Sequence, residues 1–237
     1  MLQEMPSCYF IITGFGPFAG VPDNPTSILV RHLQDELENN QNNHMYETHV
    51  LETSAEYVRE KISDIYKGLK QSSIEKSKDV IIILHLGVNY RGKVFHLEQC
   101  AYNDATFRVA DERGYRPNKE LVHTNNSETA TTTHEWGKCL KTTLDVQSLC
   151  NDLQKGDNAE EVVVSTDPGR FVCNYTYCFS LDQCNSTNEC SGDEGKKQHN
   201  ALFIHVPPFK VISESRQLDF IHKVMNTIEK QVLSSTD

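Results

Sequence analysis

Short β-rich apolar runs alternate with apolar patterns of helical spacing along the chain, and this alternation limits the possible folds more than any other feature. The runs that predict strands cover residues 8–13, 46–51, 80–87, 162–165 and 201–206, whereas residues 94–101 mix apolar and polar side chains. Helical patterns occupy residues 24–37, the stretch behind a capping box at Thr53 and Glu56, residues 146–153 and residues 215–234. Alternating strands and helices are typical of a largely parallel sheet covered by helices, so we predict an α/β fold.

The length of the chain, 237 residues, fits one large α/β domain, and we expect residues 1–237 to form it. Residues 182–199 are polar and contain glycine, so we predict that they form a surface excursion from this domain. Residues 102–133 are also polar and exceed the usual length of a connection. We assign no secondary structure to them.

Charge and composition exclude several classes of function. The net charge of −10 argues against a nucleic-acid partner. The longest apolar run, residues 80–84, is too short to span a membrane, and residues 1–7 lack the features of a secretory signal. We therefore expect a cytoplasmic protein whose eight cysteines are free thiols. Cys184, Cys190 and His199 do not have the spacing of a usual zinc site, so no metal is expected.

The stretch VVVSTDPGRFVCNYTY, residues 162–177, predicts a buried strand, a tight turn and a helix with Cys173 in its first turn. Free N–H groups and the positive end of the helix dipole favour an anion at that position. The anion would be a thiolate, which is the reactive form of cysteine. The alternative interpretation is a small buried hydrophobe, because free cysteine often fills that role.

Two further residues near predicted strand ends have the chemistry to complete a nucleophilic site. A cysteine nucleophile needs a base that takes its proton and a third group that orients the base. His205 can serve as the base, and Glu98 lies among apolar neighbours, where a carboxylate is costly to bury unless it is paired. Taken alone, Glu98 also fits a solvated position and His205 a hydrogen-bonded core position.

A glycine-rich turn with two aromatic rings, Phe15 and Phe18, follows the first predicted strand. Open α/β sheets bind ligands at the carboxyl ends of their strands, so exposed rings there indicate a pocket. The alternative is that both rings pack beneath the turn as core. The turn is not a dinucleotide-binding fingerprint, because the third glycine is missing and Pro17 disrupts the turn-to-helix geometry.

Four motifs occur in order along the chain: TGFGPF at 13–18, a segment from Gly87 through HLEQCAYN at 96–103, STDPGRFVCNYTY at 165–177 and FIHVPP at 203–208. From about Ile11 to Val232 the sequence resembles the pyroglutamyl-peptidase I family, also called pyrrolidone-carboxyl peptidases. The resemblance implies a three-layer α/β/α sandwich around a twisted, largely parallel mixed sheet. It also implies a cysteine omega-peptidase that removes N-terminal pyroglutamyl residues in the cytoplasm, without a metal or other cofactor.

The same resemblance assigns roles to individual residues. Cys173 aligns with the family's nucleophile, His205 with its histidine and Glu98 with its glutamate. The substrate-binding positions that it implies are Phe15, Phe18, Phe171, Val172 and, ten residues after the glutamate, Arg108. The implied partners are N-terminally pyroglutamyl-blocked peptides, with neither nucleic acid nor membrane, and a monomer is favoured over the tetramer that is common among prokaryotic members.

One departure from the family pattern leaves a second hypothesis open. Pro168 stands in the turn before the nucleophile, where the family usually has a small residue such as alanine. Proline fits a tight turn, but it can also shift the turn that positions Cys173. The second hypothesis is therefore a catalytically impaired paralogue that binds pyroglutamyl peptides without cleaving them. Intact Glu98, Cys173 and His205 favour the active enzyme.

Overall fold

The computed structural model describes residues 8–18, 21–39, 45–71, 80–122, 135–155, 161–190 and 198–234. The strands within these ranges are β1 Cys8–Phe15, β2 Tyr46–Leu51, β3 Val80–Val88, β4 Phe95–Glu98, β5 Cys100–Tyr102, β6 Cys139–Lys141, β7 Val162–Ser165 and β8 Gln198–Val206. The helices are α1 Pro25–Glu38, α2 Ala55–Gln71, α3 Val146–Leu153, α4 Val172–Cys190 and α5 Glu214–Ser234. None of the helices in these ranges is both long enough and apolar enough to cross a bilayer.

Six of the strands form one mixed sheet in the order β2-β1-β3-β8-β4-β7. The strands β2, β1, β3 and β8 are parallel, whereas β4 and β7 run antiparallel to them. The prediction of a largely parallel mixed sheet is confirmed. The central strand β3 is buried on both faces, which explains its continuous apolar run VIIIL. The edge strand β7 was predicted to be buried, but this is wrong because Val163 faces solvent.

Helices cover both faces of the sheet and produce the predicted three-layer α/β/α sandwich. Helices α1, α3 and α5 pack on one face, and α2 and α4 pack on the other. Successive residues of a strand point to opposite faces, so Ile82 and Leu84 of β3 join the first core while Ile81 and Ile83 join the second.

The last residues of β1 pack directly against the start of α1. The helix begins where predicted, with the side chain of Asn24 accepting a hydrogen bond from the N–H of Thr26 and with Pro25 in the first turn. The hydroxyl of Thr26 accepts a hydrogen bond from the N–H of Phe15. A Cβ atom at Gly14 would lie 2.4 Å from the carbonyl oxygen of Thr26, so this close approach requires glycine.

The predicted capping box at the start of α2 is wrong. The hydroxyl of Ser54, not of Thr53, accepts a hydrogen bond from an N–H of the first turn, that of Tyr57. Thr53 instead donates a hydrogen bond to the carbonyl oxygen of Gly16 at 3.3 Å. Its hydroxyl therefore ties the start of α2 to the turn after β1, a long-range contact that local sequence does not reveal.

Residues 103–122, the part of the long polar stretch that the structure describes beyond β5, form a loop attached to α2 by Asp111. One carboxylate oxygen of Asp111 accepts a hydrogen bond from the N–H of Ala55 at 2.9 Å. The other oxygen accepts from the N–H groups of Arg113 and Tyr115. The loop is thereby held against the same face of the sheet as α4. Residues 123–134 lie outside the described residues.

The predicted surface excursion over residues 182–199 is wrong at both of its ends. Residues 182–190 continue α4, and residues 198 and 199 begin β8. Asp182 and Cys184 are buried although their surroundings in the sequence are polar, and the thiol of Cys184 lies 3.0 Å from the hydroxyl of Tyr66. Because polar side chains occupy the buried face of this part of α4, its sequence lacks the apolar spacing that indicates a helix. The remaining residues, 191–197, lie outside the described residues.

Candidate active site

Glu98, His205 and Cys173 meet on one face of the sheet, where β4, β8 and the start of α4 come together. Because β4 is antiparallel to β8 and Glu98 pairs with Phe203, Glu98 lies diagonally across from His205. Nδ1 of His205 lies 2.7 Å from Oε1 of Glu98. The imidazole also interacts with the thiol of Cys173, whose hydrogen bonding and charge raise the pKa of His205. The three residues therefore form a continuous series of thiol, imidazole and carboxylate.

The charge of the imidazole is controlled by its two partners. Burial lowers the pKa of His205, but the hydrogen bonds and charges of Cys173 and Glu98 outweigh burial and raise the pKa to about 10. The raised pKa favours the protonated ring, which carries a positive charge beside the sulfur. A neighbouring imidazolium favours the thiolate form of cysteine.

The carboxylate of Glu98 pairs with the imidazole of His205. Its side chain is 1% exposed, and Oε2 has no hydrogen-bond partner among the residues that the structure describes. A buried carboxylate is costly unless it is paired, and the imidazolium supplies that pairing. The geometry therefore favours the charged form of the histidine and fixes the orientation of its ring.

Cys173 is the second residue of α4, within the first turn as predicted. The hydrogen bond from the N–H of Tyr175 to the carbonyl oxygen of Phe171 marks the beginning of the helical ladder. The N–H groups of Val172 and Cys173 precede that bond and have no acceptor within the helix. Such N–H groups can hold an oxyanion that develops on a carbonyl attacked by the sulfur.

The turn before α4 accommodates the proline that departs from the family pattern. Gly169 has a φ of 80°, which residues with a side chain rarely adopt, and its N–H donates a hydrogen bond to the carboxylate of Asp167 at 3.1 Å. Pro168 is buried within the turn. With proline in this position, Cys173 still interacts with His205 and raises its pKa.

Partly exposed aromatic rings lie beside the start of α4. The rings of Phe18 and Phe171 are 6.4 Å apart, and both side chains are partly exposed. Phe107 packs edge-on against Phe171, with ring centroids 4.9 Å apart. Phe107 belongs to the polar loop that has no predicted structure, so its place in this cluster was missed.

Two of the other three predicted substrate-binding positions, Phe15 and Val172, are buried. Phe15, at the end of β1, is 2% exposed, and its ring lies 6.3 Å from that of Phe203. Val172 is fully buried in the core beneath α4. Phe203 also contacts the ring of His205, with centroids 4.9 Å apart. These apolar side chains lie close to the imidazole and underlie the partly exposed rings.

The structure does not bring Arg108 into contact with Cys173, His205 or Glu98. Its side chain is exposed and makes no hydrogen bond or ion pair with any described residue. A different arginine, Arg170, lies next to the nucleophile turn. Its guanidinium stacks on the ring of Tyr102 at 4.1 Å.

Sequence reasoning assigned no role to Gly87, although it begins one of the family-like segments. Gly87 pairs with His205 in the register of β3 and β8. A Cβ atom at this position would lie 2.6 and 2.7 Å from two ring carbons of Phe203 and 3.2 Å from Sγ of Cys173. Glycine therefore leaves the space that the sulfur and the ring occupy.

We expect Gly87→Ala to slow alkylation of Cys173 by iodoacetamide by about 10²-fold at neutral pH, because the added methyl displaces the thiol or Phe203. The rate is measured by mass spectrometry of the peptide that contains Cys173. Gly68→Ala is the matched control, because Gly68 is exposed in α2 and an added Cβ meets no neighbouring atom within 4 Å. An unchanged alkylation rate for folded Gly87→Ala would contradict this account.

His96 is a further neighbour of the site that sequence reasoning missed. It pairs with His205 in the register of β4 and β8. Burial lowers the pKa of His96, the charge of Glu98 raises it, and the charge of His205 lowers it further. The net decrease favours the neutral form of the His96 ring beside His205.

Four described cysteines apart from Cys173 have raised pKa values, Cys150 among them, and are therefore poor candidates for a nucleophile. Burial raises the pKa of Cys100 to about 11 and that of Cys184 to about 12, and it holds that of Cys178 well above its usual range. Cys173 is partly exposed and adjoins the imidazole of His205, whose pKa is raised. Within the described ranges, no three His, Cys, Asp or Glu side chains are arranged to hold a metal ion.

Comparisons with known proteins agree on one family. A family model described as pyroglutamyl peptidase matches residues 9–219. Pyroglutamyl-peptidase 1 of Homo sapiens is 23% identical over 231 residues, which cover 98% of this chain and 92% of that protein. Pyrrolidone-carboxylate peptidase of Fusobacterium nucleatum is 25% identical over 167 residues, which cover 70% and 66%. The crystal structure of pyrrolidone carboxyl peptidase from Fervidobacterium islandicum AW-1 matches with a TM-score of 0.72 at 20% identity, covering 94% of this chain and 99% of that one.

Proposed function

The chain belongs to the pyroglutamyl peptidase family, and from this premise we propose that it is a cysteine omega-peptidase that hydrolyses the N-terminal pyroglutamyl residue from peptides. The observation that carries the proposal is the series of contacts from the thiol of Cys173 through His205 to Glu98. The partly exposed rings of Phe18 and Phe171 lie beside the helix that carries the nucleophile.

In the first half of the proposed reaction, the thiolate of Cys173 attacks the carbonyl carbon of the pyroglutamyl residue. A carbon–sulfur bond forms, and the N–H groups of Val172 and Cys173 stabilise the oxyanion. As the carbon–nitrogen bond breaks, the imidazolium of His205 gives its proton to the leaving amine. The shortened peptide leaves, and the pyroglutamyl group remains on the sulfur as a thioester.

In the second half, neutral His205 takes a proton from a water molecule, whose oxygen attacks the thioester carbonyl. Breakage of the carbon–sulfur bond releases pyroglutamate and restores the thiolate beside the imidazolium. Glu98 keeps the ring oriented through Nδ1 in both halves and stabilises its positive charge. The paired charges therefore return to their starting state after each cycle.

The chemistry of the proposed pocket matches a neutral lactam. Pyroglutamate has no free α-amine, so a site that captures an ammonium group would not suit it. The rings of Phe18 and Phe171 can pack on the faces of the lactam, while backbone groups satisfy its N–H and C=O. A prolyl residue lacks the ring carbonyl and would leave a buried donor of the site without a partner.

The proposal is tested with fluorescent amides of pyroglutamate, proline and unblocked glutamine. We expect release of the amine from the pyroglutamyl amide alone, with discrimination against the prolyl amide on the order of 10⁴-fold in kcat/KM. Measurable binding of the pyroglutamyl amide without any cleavage would favour the catalytically impaired paralogue. Comparable cleavage of simple esters and unblocked peptides would indicate an unrelated thiol hydrolase.

The oligomeric state, cellular location and cofactor requirement that we propose also follow from membership of the family. We propose that it acts as a monomer in the cytoplasm on pyroglutamyl-blocked peptides, without a metal or other cofactor. The free thiols of the described cysteines support the cytoplasmic location, and the net charge of −10 argues against a nucleic-acid partner. Arg108 remains a proposed substrate-binding residue. Its exposed position requires the side chain to reach the site when substrate is bound.

A further inference from the structure

Asn174, which directly follows the nucleophile, binds the segment that follows Glu98. Its side chain is fully buried. Oδ1 accepts a hydrogen bond from the N–H of Tyr102 at 2.8 Å, and Nδ2 donates to the carbonyl oxygens of Tyr102 at 2.8 Å and Asp104 at 3.0 Å. All three partners are backbone groups, so these bonds fix the path of the chain after Glu98.

A second residue of α4 holds the other end of the same segment. The hydroxyl of Tyr177 donates a hydrogen bond to the carbonyl oxygen of Glu98 itself at 2.8 Å. Tyr177 is fully buried, and it lies one helical turn after Cys173. The helix that carries the nucleophile therefore binds the segment from Glu98 to Asp104 at both ends.

We propose that Asn174 is a positioning residue for the peptidase reaction: it fixes the segment that carries Glu98 relative to the helix that carries Cys173. This inference rests on the proposed function and adds a residue to it. Glu98 orients the ring of His205 on one side, and Cys173 lies on the other side of that ring. A shift of α4 relative to the segment that begins with Glu98 would therefore separate the thiol from the imidazole. Small displacements of this kind are costly, because the reacting groups must stay aligned.

The same helix offers a matched control at its far end. Asn188 also binds backbone groups with both ends of its amide: Nδ2 donates to the carbonyl oxygen of His199, and Oδ1 accepts from the N–H of that residue, both at 2.9 Å. It ties α4 to the beginning of β8, away from Cys173. Loss of Asn188 therefore removes a comparable structural contact without disturbing the site.

The experiment compares Asn174→Ala with Asn188→Ala in three measurements: the thermal midpoint, the kinetics on a pyroglutamyl amide, and the rate of alkylation of Cys173 by iodoacetamide across pH. Both variants are expected to have a lower thermal midpoint. For Asn174→Ala we expect kcat to fall by about 10- to 100-fold while KM changes by less than about threefold. Alkylation of Cys173 at neutral pH should slow by about tenfold or more, because the thiol loses the nearby imidazolium. Asn188→Ala should leave kcat and alkylation within about twofold of wild type.

A folded Asn174→Ala variant with wild-type kcat and alkylation would overturn the inference, as would an equal loss of kcat in Asn188→Ala. If Asn174→Ala does not fold, the same measurements are made on Asn174→Asp. This variant keeps an acceptor for the N–H of Tyr102 but lacks the amide donor, so it tests the positioning role of Asn174. The alkylation rate needs no substrate. A wild-type protein without peptidase activity would therefore contradict the proposed function, while the alkylation comparison would still test the positioning role.

Discussion

The Cys173→Ala variant is expected to fold normally and to lose hydrolysis of a pyroglutamyl amide by a factor on the order of 10⁶. The substitution removes the sulfur that would form the thioester, and neither His205 nor Glu98 supplies another nucleophile. The methyl group of alanine fits the partly exposed position without strain. The measurement is kcat/KM on the fluorescent amide, with circular dichroism to verify the fold.

Cys139→Ala serves as the control for this prediction. Cys139 is exposed on β6, so its loss removes an accessible thiol without touching the series from Cys173 to Glu98. We expect its kcat/KM to equal that of the wild type. Iodoacetamide should inactivate Cys139→Ala as fast as wild type. Retention of activity by Cys173→Ala would assign the nucleophile to another residue.

The Glu98→Gln variant is expected to lose kcat/KM by a factor on the order of 10³ to 10⁴, because the amide no longer stabilises the imidazolium or selects its orientation. The variant should also change the pH dependence. Burial lowers the pKa of His205, whereas Cys173 and Glu98 raise it, so removal of the Glu98 charge lowers it. The active ion pair requires a protonated ring, and the alkaline limb of the kcat/KM profile should therefore move to lower pH.

A second carboxylate–histidine pair provides the control for this pH profile. On β2, Oε1 of Glu47 lies 3.3 Å from Nε2 of His49, remote in the sheet order from β8 and β4. Glu47→Gln removes the same chemical group from a partly exposed pair, so we expect an unchanged alkaline limb. A Glu98→Gln profile that coincides with the wild-type profile would show that Glu98 does not set the charge of His205.

Periodicity and local signals were sufficient to predict most of the fold. The continuous apolar run of β3 and the Asn24 cap of α1 each indicated their element from a few adjacent residues. The polar half of α4 could not be recognised, because Asp182 and Cys184 are buried through contacts with distant elements. The cap of α2 was misassigned for the same reason, since Thr53 binds a turn far away in the sequence.

The residue types of the candidate site were predictable, but their geometry was not. Motifs that resemble a known family identified Cys173, His205 and Glu98. The family model and the relatives confirm that the chain belongs to that family and is a hydrolase. The contact between Glu98 and His205 depends on the antiparallel register of β4 with β8. Alternating strands and helices predict parallel pairing, so no local pattern reveals this reversal. The need for glycine at position 87 likewise becomes visible only when β3, β8 and α4 are assembled.

The strand order has a consequence for the newly synthesised chain. β8 follows all the other strands in the described sequence, yet it occupies the middle of the sheet between β3 and β4. While β8 is still inside the ribosome, the nascent chain has two separate groups of strands, β2-β1-β3 and β4-β7. At that stage Cys173 has no His205 beside it. Peptidase activity must therefore await the insertion of β8, a pairing of high sequence separation that is typical of slower folding. Incomplete translation products would remain inert towards the peptides around them.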